Sequence, residues 1–250
     1  MADRSNIMKK KSQDAFGHKL MDQFTYGGAV EIVERDDGYV DASGGQLDYL
    51  APYRKWPKFE QQAIRLAKGK TLDIGCGGGR VLLYLQEKGL DAVGVDISPL
   101  ALEVCRRRGA KDVRLIPIAK LSRKVGVFDT IVMYGNNLGL LGNPRRAKWL
   151  LKRFYEMTSP EALIIGETID PYKTTMKEHL DYHKANRAKG KLGGELRLRI
   201  RYKKFIGDWF DYMFVSKKEL NDILDGTGWQ VRRYFESGGA LYIAVLEKNR

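Results

Sequence analysis

From residue 70 onward, short apolar runs alternate with longer stretches in which apolar residues recur every three or four positions. Short apolar runs are typical of buried strands, and the longer period is typical of amphipathic helices. We predict strands over 71–74, 92–96, 113–116, 128–134 and 162–167. We predict helices over 81–88, 99–108 and 145–157. Strands that alternate with helices form a parallel sheet covered on both faces, so the pattern indicates an α/β fold.

The alternation ends near residue 167. Residues 168–191 are mostly polar and are predicted to be helical in part. Apolar and charged residues then alternate strictly over 197–202, which predicts a half-exposed antiparallel strand. We expect its partner at 209–215, across a turn that contains Gly207 and Asp208.

The remaining chain completes this outline at both ends. Ser216 with Glu219 has the spacing of a capping box, so a helix is predicted from there to residue 224, followed by closing strands at 229–235 and 241–246. Residues 35–38 and 43–45 are predicted turns, and 46–66 an interrupted helix, because Pro52 and Pro57 disfavour helix in the residue before each. We therefore expect an N-terminal segment, 1–60, and an α/β domain, 61–250, with an insertion at about 170–214.

The stretch Leu72–Arg80 reads as the end of the first alternating strand, a glycine-rich turn and the start of a helix. Such a turn between a strand and a helix lets backbone approach a ligand closely. The dinucleotide fingerprint needs a glycine where Arg80 stands, and the P-loop lysine is missing, so neither motif is present. The pattern that remains is Asp-x-Gly-x-Gly-x-Gly over Asp73–Gly79. Asp96 ends the next strand, where an acid can accept hydrogen bonds from ribose hydroxyls.

This glycine pattern resembles the first motif of the class I S-adenosylmethionine-dependent methyltransferases. Residues 93–98, 128–133 and 163–167 are similar to the family's later strand motifs, in the same order, and the resemblance covers roughly 45–170. It implies a Rossmann-like seven-stranded, mostly parallel sheet with helices on both faces and a C-terminal antiparallel hairpin. It also implies S-adenosylmethionine as cofactor, S-adenosylhomocysteine as product, and a methyltransferase of the small-molecule type, with 1–60 and the insertion on the acceptor side.

The resemblance assigns roles by position. Asp73 would hold the amino group of the cofactor, Asp96 the ribose, and Ile97 one face of the adenine. The full predicted cofactor set is Asp73, Gly75, Cys76, Gly77, Gly79, Arg80, Asp96, Ile97, Ile118, Ala119, Met133, Tyr134, Gly135 and Asn136. The chain departs from the family after the third strand, where many members have an acid that binds the adenine amino group. Backbone at Ile118 and Ala119 would have to supply that contact.

The methyl acceptor is less constrained, and no catalytic residue is assigned. Predicted acceptor-side residues are Tyr53, Arg54, Asn137, Glu167, Arg199 and Arg201. Arg197, Arg199 and Arg201 share one face of the predicted strand, which is either an ordinary solvated face or a basic wall for an anionic acceptor. His179 and His183 are four residues apart, but without a third ligand we expect a solvated helix face and no metal site.

Two alternatives to a small-molecule O-, N- or C-methyltransferase stay open. The net charge of +13 would suit an RNA or protein substrate, although the Asn/Asp-Pro-Pro-aromatic motif typical of amino-methylation of nucleic-acid bases is missing at 134–137. A non-catalytic protein that binds S-adenosylmethionine is the other alternative. Oligomeric state and acceptor identity are not specified by the sequence.

Composition adds weak constraints on location. The chain is 43% hydrophobic, enough for a sizeable core, yet it contains no apolar stretch of the about 18 residues that span a bilayer. The polar, basic residues 1–11 are not followed by an apolar run, so no secretory signal is predicted. Cys76 and Cys105 are too few for a disulfide framework and are expected to be reduced thiols. We expect a cytoplasmic protein without a membrane partner.

Overall fold

The computed structural model describes residues 13–42 and 48–249. The strands in these ranges form two sheets. The strands are β1 (Ile32–Arg35), β2 (Val40–Asp41), β3 (Lys70–Ile74), β4 (Asp91–Asp96), β5 (Val113–Leu115), β6 (Phe128–Met133), β7 (Thr158–Ile169), β8 (Glu195–Tyr202), β9 (Phe205–Ile206), β10 (Phe210–Met213), β11 (Trp229–Glu236) and β12 (Leu241–Lys248). The helices are α1 (Ala15–Tyr26), α2 (Lys58–Ile64), α3 (Arg80–Glu87), α4 (Pro99–Arg107), α5 (Pro144–Glu156), α6 (Lys177–Ala188) and α7 (Lys217–Leu224).

The larger sheet has seven strands in the order β11-β12-β7-β6-β3-β4-β5. Strands β3 to β7 pair in parallel, whereas β12 runs antiparallel to β7 and to β11. Neighbouring residues of a strand point to opposite faces, so Ile131 and Ile164 pack with α5 and α7, while Val132 and Ile165 pack with α2, α3 and α4. This arrangement confirms the predicted fold class, including the C-terminal antiparallel hairpin.

The smaller sheet joins the two parts of the chain that lie outside the alternating pattern. Strand β8 pairs with β1 on one edge and with β9 and β10 on the other, and β2 pairs with β1. The predicted pairing of 197–202 with 209–215 is confirmed, but the predicted turn was wrong. The chain reverses at Lys203, whose φ is 50°, and Gly207 lies beyond it, donating its N–H to the Ile200 carbonyl at 2.8 Å. The hairpin closes early because Phe205–Ile206 already pairs with β8.

Helix α1, which the sequence pattern did not indicate, docks on α4 through a shared helix cap. Asp14 is fully buried and accepts hydrogen bonds from the Gly17 N–H at 2.9 Å and the Ser98 hydroxyl at 2.7 Å. Ser98 in turn caps α4 by accepting from the Ala101 N–H at 2.9 Å. Two helix N-termini therefore share one buried carboxylate, which suits the positive ends of their dipoles.

Several smaller predictions have clear outcomes. The turn at 35–38 is present, with the Gly38 N–H bonded to the Arg35 carbonyl at 2.9 Å, and the capping box of Ser216 and Glu219 begins α7 as predicted. The predicted turn at 43–45 lies outside the described residues, as do residue 46 and the basic segment 1–11. Among the helices described, none is long and apolar enough to cross a membrane.

Candidate functional site

A cavity of about 840 Å³ lies between the two sheets. One wall is the carboxyl edge of the parallel sheet, where β3, β4 and β6 end, and this edge is where open α/β sheets bind ligands. The opposite wall comes from the smaller sheet, with Val33 of β1, Leu198 of β8 and Phe210 of β10. The site is therefore built from sequence segments more than a hundred residues apart.

The glycine turn occupies the centre of the first wall. Gly75, Gly77 and Gly79 all have positive φ, at 73°, 50° and 84°, a conformation that other residues rarely adopt. A Cβ at Gly79 would lie 2.6 Å from the Cys105 sulfur, so this glycine is needed for close packing against α4. Gly75 and Gly77 line the cavity, which leaves their backbone accessible to a ligand.

Asp96 is held rigidly at the end of β4. Its carboxylate accepts hydrogen bonds from the backbone N–H groups of Gly77 and Ser98, each at 2.9 Å. Burial raises the pKa of Asp96, and these backbone donors oppose that rise. The carboxylate is therefore oriented toward the cavity by the turn beside it, with acceptor capacity left over for a ligand hydroxyl.

Asp73, the last residue but one of β3, is a buried carboxyl without adequate partners. It is 2% exposed, and its Oδ2 has no hydrogen-bond partner among the described residues. Burial, and then the nearby Asp96 charge, raise the pKa of Asp73 to about 7. Asn136 Oδ1 is similarly buried and unpartnered within the described part of the chain. Two unsatisfied oxygens lining one cavity fit a ligand that offers hydrogen-bond donors, such as an ammonium group.

The loop after β6 is fixed to the glycine turn by side-chain hydrogen bonds. The Asn137 amide donates to the Ile74 and Gly75 carbonyls at 3.1 and 2.9 Å. The Gly135 N–H donates to Glu167 at 2.8 Å. These contacts tie the loop after β6 to the end of β3 on one side and to β7 on the other.

Glu167 lies beneath this loop in a second buried carboxyl cluster. It is fully buried, and burial followed by the charge of Glu60 raises its pKa to about 8. Glu60 forms a buried ion pair with Arg80, whose guanidinium stacks over the Trp56 ring at 4.2 Å. Arg80 itself lines the cavity, so the cluster positions one cationic side chain at the site.

The residues after β5 form the remaining side of the cavity. Ile118–Lys120 is a short 3₁₀ helix that begins after Pro117, and Ile118, Ala119 and Ile97 line the cavity. No acid stands among 116–120, as the sequence already shows. This side of the cavity is apolar and suits a planar ring.

The predicted cofactor set is brought together by the fold. All of its members line the cavity except Gly79 and Met133, which lie behind the wall. Of the predicted acceptor-side residues, Asn137 lines the cavity. The other five lie outside its lining: Tyr53, Arg54, Glu167, Arg199 and Arg201.

The arginines of β8 are outside the cavity for a geometric reason. Residues alternate between the two faces of a strand, and Leu196, Leu198 and Ile200 face the cavity. The arginines between them therefore lie on the other face, where Arg199 pairs with Glu34 at 2.8 Å.

The two histidines of α6 line the cavity, although the sequence predicted that they would face solvent. The predicted solvated face was wrong, because His179 and His183 both line the cavity and His183 is only 5% exposed. His179 Nδ1 lies 3.0 Å from the Arg35 guanidinium, and burial lowers the pKa of both histidines. Among the described residues, no cluster of three or more side chains is arranged to hold a metal ion.

Sequence reasoning missed the residues that the smaller sheet and α1 contribute, among them Glu31, Arg35 and Tyr212. They belong to no local motif, so the only available indication was the alternation of apolar residues along β8.

Comparison with known proteins agrees with this geometry. Residues 71–161 match a family model described as a methyltransferase domain. The chain is 24% identical over 127 residues to the methyltransferase-named protein YqeM of Bacillus subtilis, covering 49% of this chain and 51% of that protein. It is 30% identical over 93 residues to a ubiquinone biosynthesis O-methyltransferase of Acinetobacter baylyi, covering 34% and 38% of the two chains. The matched part of the chain thus spans about half or less of the length of these curated relatives.

Solved structures resemble the whole fold. A SAM-dependent methyltransferase from Bacteroides fragilis, in complex with S-adenosyl-L-homocysteine, aligns with a TM-score of 0.81 at 24% identity, covering 99% of this chain and 100% of that one. The CcbJ methyltransferase from Streptomyces caelestis aligns with a TM-score of 0.61 at 14% identity, covering 95% and 99%. The larger and the smaller sheet therefore both belong to a fold that methyltransferases use. Residues 71–161 thus match a methyltransferase domain, and the chain as a whole has the fold and sheet order of class I S-adenosylmethionine-dependent methyltransferases.

Proposed function

We propose that the chain transfers a methyl group from S-adenosylmethionine to a small-molecule acceptor. The observation that carries the proposal is that one cavity has the glycine turn and its two aspartates on one wall and apolar strands on the other. A cofactor on the first wall and an acceptor against the second would lie side by side. Transfer between bound partners gains most of its rate from such positioning.

In this proposal the pinned Asp96 carboxylate binds the ribose hydroxyls, and Asp73 with Asn136 satisfies the donors of the methionine part. The adenine lies against Ile97 and the 3₁₀ helix that contains Ile118 and Ala119. This contact does not require an acidic side chain. S-adenosylmethionine supplies an activated methyl group on a sulfonium centre when bound. The chain supplies orientation and exclusion of water.

A small acceptor is favoured over a macromolecule by the form of the cavity. The smaller sheet covers the carboxyl edge of β3 and β6, and its cavity-facing side chains are mostly apolar. A cavity of about 840 Å³ is in the range of small-molecule sites, about 300–1,000 Å³. Among proteins with similar chains, the O-methyltransferase of ubiquinone biosynthesis and the 1,6-didemethyltoxoflavin N1-methyltransferase are named for small acceptors.

Calorimetric titration with S-adenosylhomocysteine tests the cofactor, with NAD as the negative ligand. Asp96→Asn removes the charge at the cavity end of β4, and Asp91→Asn makes the same change at the other end of the same strand, outside the cavity. Since a hydrogen bond to a charged group contributes about 1.5–3 kcal/mol, Asp96→Asn should weaken binding about 10- to 100-fold, while Asp91→Asn should not change it. Equal binding by all three proteins, or tight binding of NAD, would contradict the assignment.

A further inference from the structure

A buried ion pair lies in the cavity wall, away from the glycine turn's own aspartates. Glu31, just before β1, is 2% exposed and pairs with the equally buried Lys19 of α1 at 3.2 Å. Lys19 also donates to Gln23 at 2.7 Å. Removing both charges from water costs more than such a pair usually returns, so its presence is weak evidence for a stabilising role. Glu31 lines the cavity, so this buried carboxylate lies at the surface that a bound molecule would contact.

Tyr49 connects this pair to the glycine turn. Its hydroxyl is hydrogen-bonded to Glu31, and its ring lies under the Lys19 ammonium, 4.2 Å from the ring centroid. The ring also packs edge-on against Phe16 at 5.3 Å, and Phe16 lies 3.8 Å from where a Cβ of Gly77 would be. Glu31 is therefore within two side chains of the backbone that lines the cofactor side.

Tyr212 of β10 connects the second wall to the loop after β6. Tyr212 lines the same cavity as Tyr49, and its hydroxyl donates to the Asn136 carbonyl. Glu31, Tyr49 and Tyr212 therefore line the cavity where side-chain contacts join the two walls, a region called the junction below. This junction is where a methyl donor on one wall would meet an acceptor on the other.

The Glu31 carboxylate has unused acceptor capacity at this point. Its Oε2 is buried, and among the described residues its one close partner is the Lys19 ammonium at 3.2 Å, so the oxygen can accept a second hydrogen bond. Other carboxylates that line the second wall are engaged or more exposed: Asp211 pairs with Arg197 at 3.2 Å, and its side chain is 51% exposed. Glu31 is the carboxylate best placed to take a hydrogen bond, and then a proton, from a bound acceptor.

The chemistry of the junction also selects the acceptor. Lys19 neutralises Glu31, so the pair does not attract a cationic amine, whereas its free lone pairs suit a neutral hydroxyl. The wall beyond it is aromatic and apolar, with Trp209, Phe210 and Phe214. A planar apolar ring fits such a wall.

We propose that Glu31 is the proton acceptor of the transfer and that the acceptor is a neutral aromatic hydroxyl compound of the phenol class; this rests on the function proposed above. The acceptor oxygen forms a bond to the methyl carbon while the bond between that carbon and sulfur breaks. The electron pair of the broken bond stays on sulfur. The hydroxyl proton passes to the Glu31 carboxylate. The products are a methyl ether, S-adenosylhomocysteine and a protonated Glu31, so charge and atoms balance. Lys19 and Tyr49 are positioning residues that orient the carboxylate.

Comparing phenols that are neutral with one that is already ionised distinguishes an effect on proton removal from an effect on binding. At pH 7.5, 4-methoxyphenol and 2-naphthol are neutral and need a base, whereas pentafluorophenol is already ionised. Glu31→Gln should slow transfer to the neutral phenols by about 100-fold or more, the usual contribution of a general base, with a much smaller effect on pentafluorophenol. Glu34→Gln is the matched control, because Glu34 lies three residues further along, on β1, but pairs with Arg199 outside the cavity.

A binding measurement supplies a second, independent readout. 4-Nitrophenol is titrated into the complex with S-adenosylhomocysteine, and its phenolate is followed by visible absorption. The carboxylate accepts a hydrogen bond from a neutral hydroxyl but has none to donate to a phenolate, whereas glutamine can donate one and leaves the Lys19 charge unpaired. The wild-type complex should therefore hold the neutral phenol, and Glu31→Gln should hold more phenolate. If Glu31→Gln does not fold, the double variant Lys19→Gln/Glu31→Gln, which removes both buried charges, is used in its place.

Each result decides between the claims. Equal losses on neutral and ionised phenols, or identical spectra for wild type and Glu31→Gln, would overturn the role of Glu31. Wild-type protein that binds S-adenosylhomocysteine but neither binds nor methylates any of the phenols would overturn the acceptor class. Wild-type protein that does not bind S-adenosylhomocysteine would instead refute the function on which the inference rests.

Discussion

Replacing Asp73 by asparagine should stabilise the ligand-free protein while weakening its binding of cofactor. Asp73 is 2% exposed, and its pKa is raised from 3.8 to about 7, first by burial and then by Asp96. Because the folded-state pKa lies above the unfolded one, the stabilising contribution of the protonated form is complete below pH 3.8 and is lost as the pH rises to 7. Asparagine has no charge to bury and is free of this pH dependence.

The magnitude follows from the shift. At about 1.36 kcal/mol per pKa unit, the ionised Asp73 costs at most about 4 kcal/mol above pH 7 and about 1.6 kcal/mol at pH 5. The free energy of unfolding of Asp73→Asn relative to wild type should therefore rise by about 3 kcal/mol between pH 5 and pH 8.5. Other groups that titrate in this window, such as Glu167, are present in both proteins and largely cancel in the difference.

Urea unfolding at several pH values, followed by the fluorescence of the buried Trp56 and Trp229, measures this difference. Asp91→Asn is the control, since that side chain is 67% exposed and its substitution should leave the pH profile unchanged. Parallel profiles for wild type and Asp73→Asn would refute the argument from burial.

The same variant tests the role of Asp73 toward the cofactor. Binding of S-adenosylhomocysteine should weaken about 10- to 100-fold, the loss expected for a hydrogen bond to a charged group. A stabilised variant with unchanged affinity would leave the burial argument intact and remove Asp73 from the cofactor site. The two measurements together would show a residue that is kept for function at the expense of stability.

Two further substitutions test the packing of the turn and the outer face of β8. Gly79→Ala should lower the free energy of unfolding by about 2–4 kcal/mol, because positive φ strains alanine and its Cβ would lie 2.6 Å from the Cys105 sulfur. Gly89→Ala has a similar φ of 77° but open space around the Cβ, so a loss as large as that of Gly79→Ala in urea unfolding would contradict the packing argument. Arg199→Gln should leave cofactor affinity and methyl-transfer kinetics unchanged, since Arg199 pairs with Glu34 outside the cavity; a selective rise in the KM of the acceptor would show that this placement is wrong.

The strongest sequence predictions concerned residues whose partners are close along the chain. The turn Asp73–Gly79 and the acid at Asp96 are separated by one helix, and strand, turn and helix each leave a local pattern. The strand order then follows from known rules for parallel sheets. Helix α1 escaped prediction because its apolar face is short and its docking depends on Asp14 capping a helix that begins at Pro99.

The acceptor side shows where local patterns stop. The alternation over 197–202 correctly predicted a strand, but a strand pattern does not tell which face meets the cavity. The charged face suggested a basic wall for an acceptor, whereas the fold turned Leu198 inward and left Arg199 with Glu34. His183 was expected on a solvated face for the same reason, since one helix cannot show what packs over it.

The sequence by itself determined the α/β sheet, the glycine turn and the carboxylates that accompany it, because each depends on backbone conformation and contacts within a short stretch. The tertiary structure alone decided the second wall. Pairing of β1 with β8 brings Glu34 opposite Arg199, across 165 residues, and the same pairing sets Glu31 beside Lys19 and Tyr49. Such pairing is selected by the burial of whole faces against each other, a cooperative property that no single segment encodes.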